Sequence, residues 1–197
     1  MKRVCDIFVS GVGLLILSPL FLFLAIWIKC DSQGPIFFRQ IRVGRYNRDF
    51  RIFKFRTMYV GSDKDGLLTV GEHDARITRS GHFMRKHKLD EFPQLINVLR
   101  GEMSIVGPRP VVRRFVEMYN EEQMHVLDVR PGITDRASIL YRHENELLEK
   151  AQDPDQYYID EVMPIKIRLN LEYVRHHNLR TDIKLIFQTI WSVYFKR

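Results

Sequence analysis

Two carboxylates, Asp90 and Glu91, stand side by side in the stretch KLDEFPQL, just ahead of an apolar run. Adjacent carboxylates can divide labour, one attacking an electrophile while the other handles a proton or a cation. The pair also suits a plain structural task. Asp is a good N-cap, acids favour the first turn of a helix, and Pro93 is tolerated there. Both readings stay open on this stretch alone. A second concentration of chemistry lies in SIVGPRP, residues 104–110, where Pro108 and Pro110 restrict the backbone around Arg109 and Gly107 permits a turn. A guanidinium on a restrained loop loses little entropy when it forks onto a phosphate, although a simple turn explains the prolines equally well. Taken together, Arg56, Arg85, Arg109, Asp90 and Glu91 point to a diphosphate site. The arginines would neutralise oxygens while the carboxylates hold a divalent metal or attack phosphorus to give an acyl phosphate.

The elements that must position these groups belong to a chain of 197 residues, enough for one domain with a real core. Its 45% hydrophobic content excludes wholesale disorder. A net charge of +7 favours an anionic partner. The charge is uneven. Residues 29–56 carry eight basic side chains against two acidic, and residues 135–163 carry eight acidic against three basic. Cys5 and Cys30 do not make a disulfide framework, and reduced thiols are expected. The seven histidines have no metal-ligand spacing, and no lipidation signature is present.

Residues Ile7 to Ile28 are free of charge. A helix of that length measures about 33 Å and matches the hydrocarbon core of a bilayer. The run is long for a signal peptide, lacks a small-residue cleavage site, and is too uniformly apolar for a core helix. Ser18-Pro19 falls at its middle, where the missing N–H and the ring bend a helix. Lys2 and Arg3 precede it and Lys29 with the arginine run follows, so the positive-inside tendency pulls both ends to the cytoplasmic face. This predicts a re-entrant membrane helix over residues 1–30, broken at Ser18 and Pro19, in preference to a span. Near the other end, Ile183, Ile186, Ile190, Trp191 and Tyr194 recur at helical spacing. That helix either lies in the membrane interface or docks on the core.

Between these segments, PIFFRQIRVGRYNRDFRIFKFRTM alternates apolar and charged residues around GRYNRD and reads as a β-hairpin. Its arginines are expected on both faces, available to lipid headgroups or phosphates. DKDG at 63–66 lacks the further ligands of a calcium loop and reads as a turn. HFMRKHKL predicts a short helix, Asp90 opens another that ends near Gly101, RPGIT at 130–134 is a turn, and an acidic helical hairpin covers roughly 143–177. The fold class is a compact, mostly helical α/β unit with a small β-hairpin.

KFRTM (54–58), ARITRSGHFMRKHKLDEFPQLINVLRGEMSIVGPRP (75–110) and RPGIT (130–134), behind a Ser-Pro-interrupted apolar segment, resemble the bacterial sugar transferase family, the monotopic phosphoglycosyl transferases. The resemblance is to the small form, without a multi-span N-terminal domain. It implies a catalytic domain over 31–197 at the cytosolic face of the bacterial inner membrane, beside a helix–break–helix anchor. It further implies that Asp90 attacks the β-phosphate of a UDP-sugar and releases UMP. Undecaprenyl phosphate, a polyprenyl phosphate, then takes the phosphosugar, with Glu91 supporting Mg²⁺ or proton handling and Arg56, Arg85 and Arg109 on phosphates. Two positions depart from the pattern. Asp135-Arg136-Ala137-Ser138 replaces a common Gly-Trp-Ala-Gln, and Lys88 replaces a Ser or Thr, so the sugar is left open. The competing expectation is a non-catalytic membrane adaptor that holds acidic lipid or nucleic acid; the transferase reading needs UDP-sugar, polyprenyl phosphate and membrane lipid, and no nucleic acid. A transfer without a covalent intermediate is the enzymatic alternative.

Overall fold

A computed structural model describes residues 1–62 and 74–195. It opens with one helix of 30 residues, α1 (Lys2–Asp31). Residues of reduced exposure recur at 3, 6, 10, 13, 17, 20, 24, 28 and 31, a stripe of near-heptad spacing. On the opposite side Phe8, Leu15, Ile16, Leu22 and Phe23 are exposed. Among the described residues α1 alone is long and apolar enough to cross a membrane. The expected interruption does not end the helix: helical residues continue on both sides of Ser18 and Pro19. Proline removes the N–H that would have bonded to the carbonyl four residues earlier, that of Leu15. The Ser18 hydroxyl donates to that same Leu15 oxygen at 2.8 Å, so the acceptor Pro19 leaves unserved is satisfied locally.

Both ends of α1 rest on the body of the protein. Near its start, Lys2 donates to the Val106 carbonyl (2.9 Å) and Tyr173 Oη (3.2 Å) and pairs with Asp182. Arg3 donates to the carbonyls of Val98 and Leu99, and Asp6 accepts from Ser104 Oγ and the Ile105 N–H. Near its end, Leu24 and Ile28 pack with Phe55 and Met84, and Asp31 accepts two bonds from Ser80.

The hairpin is present as read. Strands β1 (Phe37–Val43) and β2 (Asp49–Phe55) pair antiparallel, with Phe38 opposite Lys54 and Arg42 opposite Phe50. Tyr46 and Asn47 adopt left-handed backbone (φ 57° and 59°) at the turn. Alternation puts Arg42, Ile52 and Lys54 on one face and Arg39, Phe53 and Phe55 on the other. The DKDG stretch lies outside the described residues. Helix α2 (Arg79–Lys86) is capped by Thr78, whose hydroxyl accepts from the Gly81 N–H. Helix α3 (Gln94–Arg100) ends on Gly101 in the left-handed region, φ 84°, as its sequence predicts.

RPGIT, read as a turn, instead ends in a strand, and SIVGPRP opens with one. Strand β3 (Ser104–Val106) runs parallel to the later strand Gly132–Thr134, a second two-stranded sheet that residues this short do not announce. Gly107 and Gly132 are required by proximity rather than by turning: a Cβ on Gly132 would lie 2.1 Å from the Gly107 nitrogen. Short helices α4 (Arg113–Val116) and α5 (Glu121–Met124) connect β3 to that partner strand, β4. The acidic hairpin expected over 143–177 is a run of short helices, α6 (Arg136–Leu140), α7 (Glu144–Glu149) and α8 (Pro154–Tyr157), leading through a π-helical turn into α9 (Met163–His176). Leu148, Tyr158, Val162, Ile167 and Leu171 join Phe115 and Val126 as their core.

The last helix, α10 (Leu179–Tyr194), docks on the core along one side. Leu185 is buried and Ile186 packs beside it against Val106 and Tyr173. Ile183, Phe187, Ile190 and Trp191 form an exposed apolar stripe on the other side.

Candidate functional site

The site forms where α3 and the turn before it pack on β2. Lys88 takes left-handed backbone (φ 55°) and starts a short 3₁₀ turn, Leu89–Glu91, that runs through Phe92 and Pro93 into α3. Neither Asp90 nor Glu91 caps this helix: no side-chain cap bond exists at either start. The capping explanation for the pair therefore fails.

They are treated unequally. Glu91 accepts from Lys54 Nζ at 2.9 Å and from both terminal nitrogens of Arg109, a forked pair. Burial alone would push the Glu91 carboxyl up, but the Arg109 guanidinium and the Lys54 ammonium hold it well below the usual carboxylate range. Glu91 in turn keeps Arg109 firmly protonated. Asp90 is buried, 8% exposed, and among the described residues its carboxylate accepts no hydrogen bond. Burial and then the neighbouring Glu91 charge raise its pKa, against the pull of Lys54, Arg85 and Lys88.

Arg109 is aimed from behind. Its backbone N–H donates to Asp135 Oδ2 at 2.7 Å, while the other Asp135 oxygen caps α6 by accepting from Ser138. The Pro110 carbonyl accepts from Arg42, whose guanidinium burial brings down to about 10. Strand β3, which leads into Arg109, is held by Lys2 and Asp6 of α1. Arg85 donates to Thr57 Oγ1 at 2.9 Å, and Asp90 is its foremost opposite charge.

Of the residues singled out in the sequence, Asp90, Glu91, Arg85 and Arg109 converge. Arg56 does not. It is buried against the segment after α1, donating to the Ser32 and Gln33 carbonyls. It fastens the end of α1 instead of facing the dyad. Sequence reasoning missed Lys54, Arg42 and Asp135. The hairpin register was the available signal for the first two, because it puts Arg42 of β1 and Lys54 of β2 on one face of the hairpin. Asp135 looked only like a departure from a family pattern, yet it is 1% exposed and orients Arg109.

The chemistry of the donors bears on a metal. No group of three or more His, Cys, Asp or Glu that could hold a metal ion occurs among the described residues. Magnesium is commonly bound by one or two carboxylates plus substrate phosphates. Asp90, with Glu91 beside it, fits a cation carried in on a diphosphate, not one held by protein alone.

Comparison with known proteins gives concordant results. A family model described as bacterial sugar transferase matches residues 1–196. The UDP-N-acetylgalactosamine-undecaprenyl-phosphate N-acetylgalactosaminephosphotransferase of Aeromonas hydrophila is 38% identical over 196 residues, covering 98% of this chain and 43% of that protein. The UDP-glucose:undecaprenyl-phosphate glucose-1-phosphate transferase of Escherichia coli K12 is 36% identical over 201 residues, covering the whole chain and 41% of that protein. The exopolysaccharide production protein PSS of Rhizobium leguminosarum bv. phaseoli is 37% identical, covering 98% of this chain and 94% of that protein. The chain thus spans about two fifths of the length of the first two relatives and nearly all of the third.

Proposed function

The chain belongs to the bacterial sugar transferase family, and from that premise we propose that it moves a sugar 1-phosphate from a UDP-sugar to undecaprenyl phosphate through a phospho-aspartate. The observation that carries this reading is the unequal dyad: Glu91 is neutralised by two cations while Asp90, one residue away, is buried and uncommitted. An Asp90 oxygen attacks the β-phosphorus, the bond between that phosphorus and the bridging oxygen breaks, and UMP leaves with the electron pair. An oxygen of undecaprenyl phosphate then attacks the same phosphorus, the Asp90 oxygen–phosphorus bond breaks, and the carboxylate is regenerated with a polyprenyl diphosphate sugar as product. Arg109 and Lys54 are the cations nearest the dyad for the diphosphate charge, and Arg85 flanks Asp90. A bound Mg²⁺ would be held by Asp90 and phosphate oxygens and would supply charge neutralisation to the leaving group.

The membrane geometry follows the anchor. A helix with both ends tied to one globular body cannot put them on opposite sides of a bilayer without carrying that body through. This supports a monotopic, re-entrant seat at the cytosolic face, with the exposed side of α1 and the stripe on α10 in lipid. Residues 1–30 are then the anchor and 31–197 the catalytic domain.

The test is UMP release across a panel of UDP-sugars with undecaprenyl phosphate and Mg²⁺. Activity with one donor names the sugar, and a phosphosugar trapped on the protein without acceptor supports the covalent route. Absence of UMP release with every donor would leave the adaptor reading, for which Asp90→Asn should change nothing.

A further inference from the structure

Gln94 is 1% exposed, and neither atom of its carboxamide has a hydrogen-bond partner. Buried side-chain amides are normally satisfied, so an exception calls for a cause. Its setting is defined by its neighbours at three-residue spacing. Glu91, three residues before, reaches Lys54 on β2. Asn97, three residues after, donates to the Arg51 carbonyl and Glu102 and accepts from the Phe53 N–H. Residues three apart on a helix share a side, so Gln94 lies in the same seam between them. Asn97 demonstrates that this seam satisfies an amide fully when the amide is a structural bolt. Gln94, one turn nearer the dyad, is left without partners.

Glu91 meanwhile occupies Lys54 and Arg109, the cations a diphosphate needs. When substrate draws either cation away, a buried carboxylate is left short of a donor, which is costly unless another donor replaces it. We propose that Gln94 is a positioning residue that acts through Glu91: its carboxamide donates to that carboxylate when Lys54 or Arg109 turns to the substrate diphosphate. The role rests on the diphosphate site proposed above and deepens it. Gln94 touches no substrate. It makes the exchange of partners affordable within a closed seam.

The experiment measures UDP binding calorimetrically on the full chain in lipid nanodiscs with Mg²⁺, in a double-mutant cycle of Gln94→Met and Glu91→Gln. Gln94→Met keeps length and removes both polar atoms, so melting temperature should hold or rise. Binding of UDP should weaken about tenfold in the otherwise unchanged protein and less than twofold when Glu91 is already Gln, because a neutral amide needs no replacement cation. A loss below twofold in the first background, or equal losses in both, overturns the role. Gln94→Leu guards against a fault of fit at Met; failure of both variants to fold makes the amide structural and overturns it too. Asp90→Asn, expected to bind UDP yet release no UMP, separates this result from the function itself. If the unchanged protein does not bind UDP, the diphosphate site and this role fall together.

Discussion

The helical lobe of residues 136–176 and the seam between β2 and α3 both contain ion pairs, but they differ in how completely the polar groups around those pairs are matched. In the lobe, Arg136–Glu172 joins side chains 59% and 55% exposed, and Lys166–Glu144 is a matched pair only 18% and 21% exposed, with Lys166 over the Tyr158 ring of the apolar core. In the seam, Lys54 and Glu91 are 20% and 15% exposed and Arg109 36%, while beside them Asp90 is buried with no hydrogen bond among the described residues and the Gln94 carboxamide is buried without partners. Exposed pairs contribute little, and buried charges are expensive unless fully matched. What sets the seam apart is the polar groups left unmatched beside its pairs, and imperfect matching of buried polar groups points to a functional site.

The sharpest challenge to this contrast is Asp90→Asn. UMP release should fall by about three orders of magnitude or more with melting temperature unchanged or raised, since a nucleophile is lost and a buried charge removed. Retained release would make the seam no more catalytic than the lobe. Next, Lys54→Met should reduce release by roughly ten- to a hundredfold and destabilise by about 1–3 kcal/mol, because Glu91 keeps Arg109 but loses one of its two buried partners; denaturant titration beside the activity assay reads both. A smaller effect concerns pH. Asp90 must be ionised to attack and its pKa is raised, so kcat/KM should decline on acidification at a pH above the ordinary aspartate value of about 4. Glu91→Gln removes the like charge that contributes to this rise, and the acid limb should move down, whatever the residual rate. For stability the sign at Glu91 is opposite: its depressed pKa contributes above the unfolded value and is lost as pH falls through the folded one. The smallest expected effect belongs to the lobe, where Arg136→Ala should cost about 0.5 kcal/mol or less and leave UMP release intact.

How much of this was legible depended on the range of the interaction. The hairpin was readable because alternation and its turn are local, and α3 because Gly101 closes it two turns on. The dyad was found as a pair of residue types, but its division of labour was not, since Lys54 and Arg109 reach Glu91 from 37 and 18 residues away. Arg56 was misplaced for the same reason. It has the charge of a phosphate ligand, yet its partners are carbonyls 23 and 24 residues upstream. The β3–β4 pairing went unseen because three-residue strands carry no period. Ser18-Pro19 was read for the bond Pro19 removes, while the bond Ser18 supplies requires the geometry of the turn.

The seating of α1 has a consequence for biosynthesis. Lys2 bonds to residues 104, 171 and 180 positions downstream. At ribosomal rates of about 5–20 residues per second, the last of those partners emerges roughly 10–35 s after Lys2 itself. Through that interval the start of α1 lacks its last protein partner, although Phe55, Ser80 and Met84 reach its other end sooner. On the membrane seat proposed above, contact of α1 with lipid is expected to precede completion of the fold.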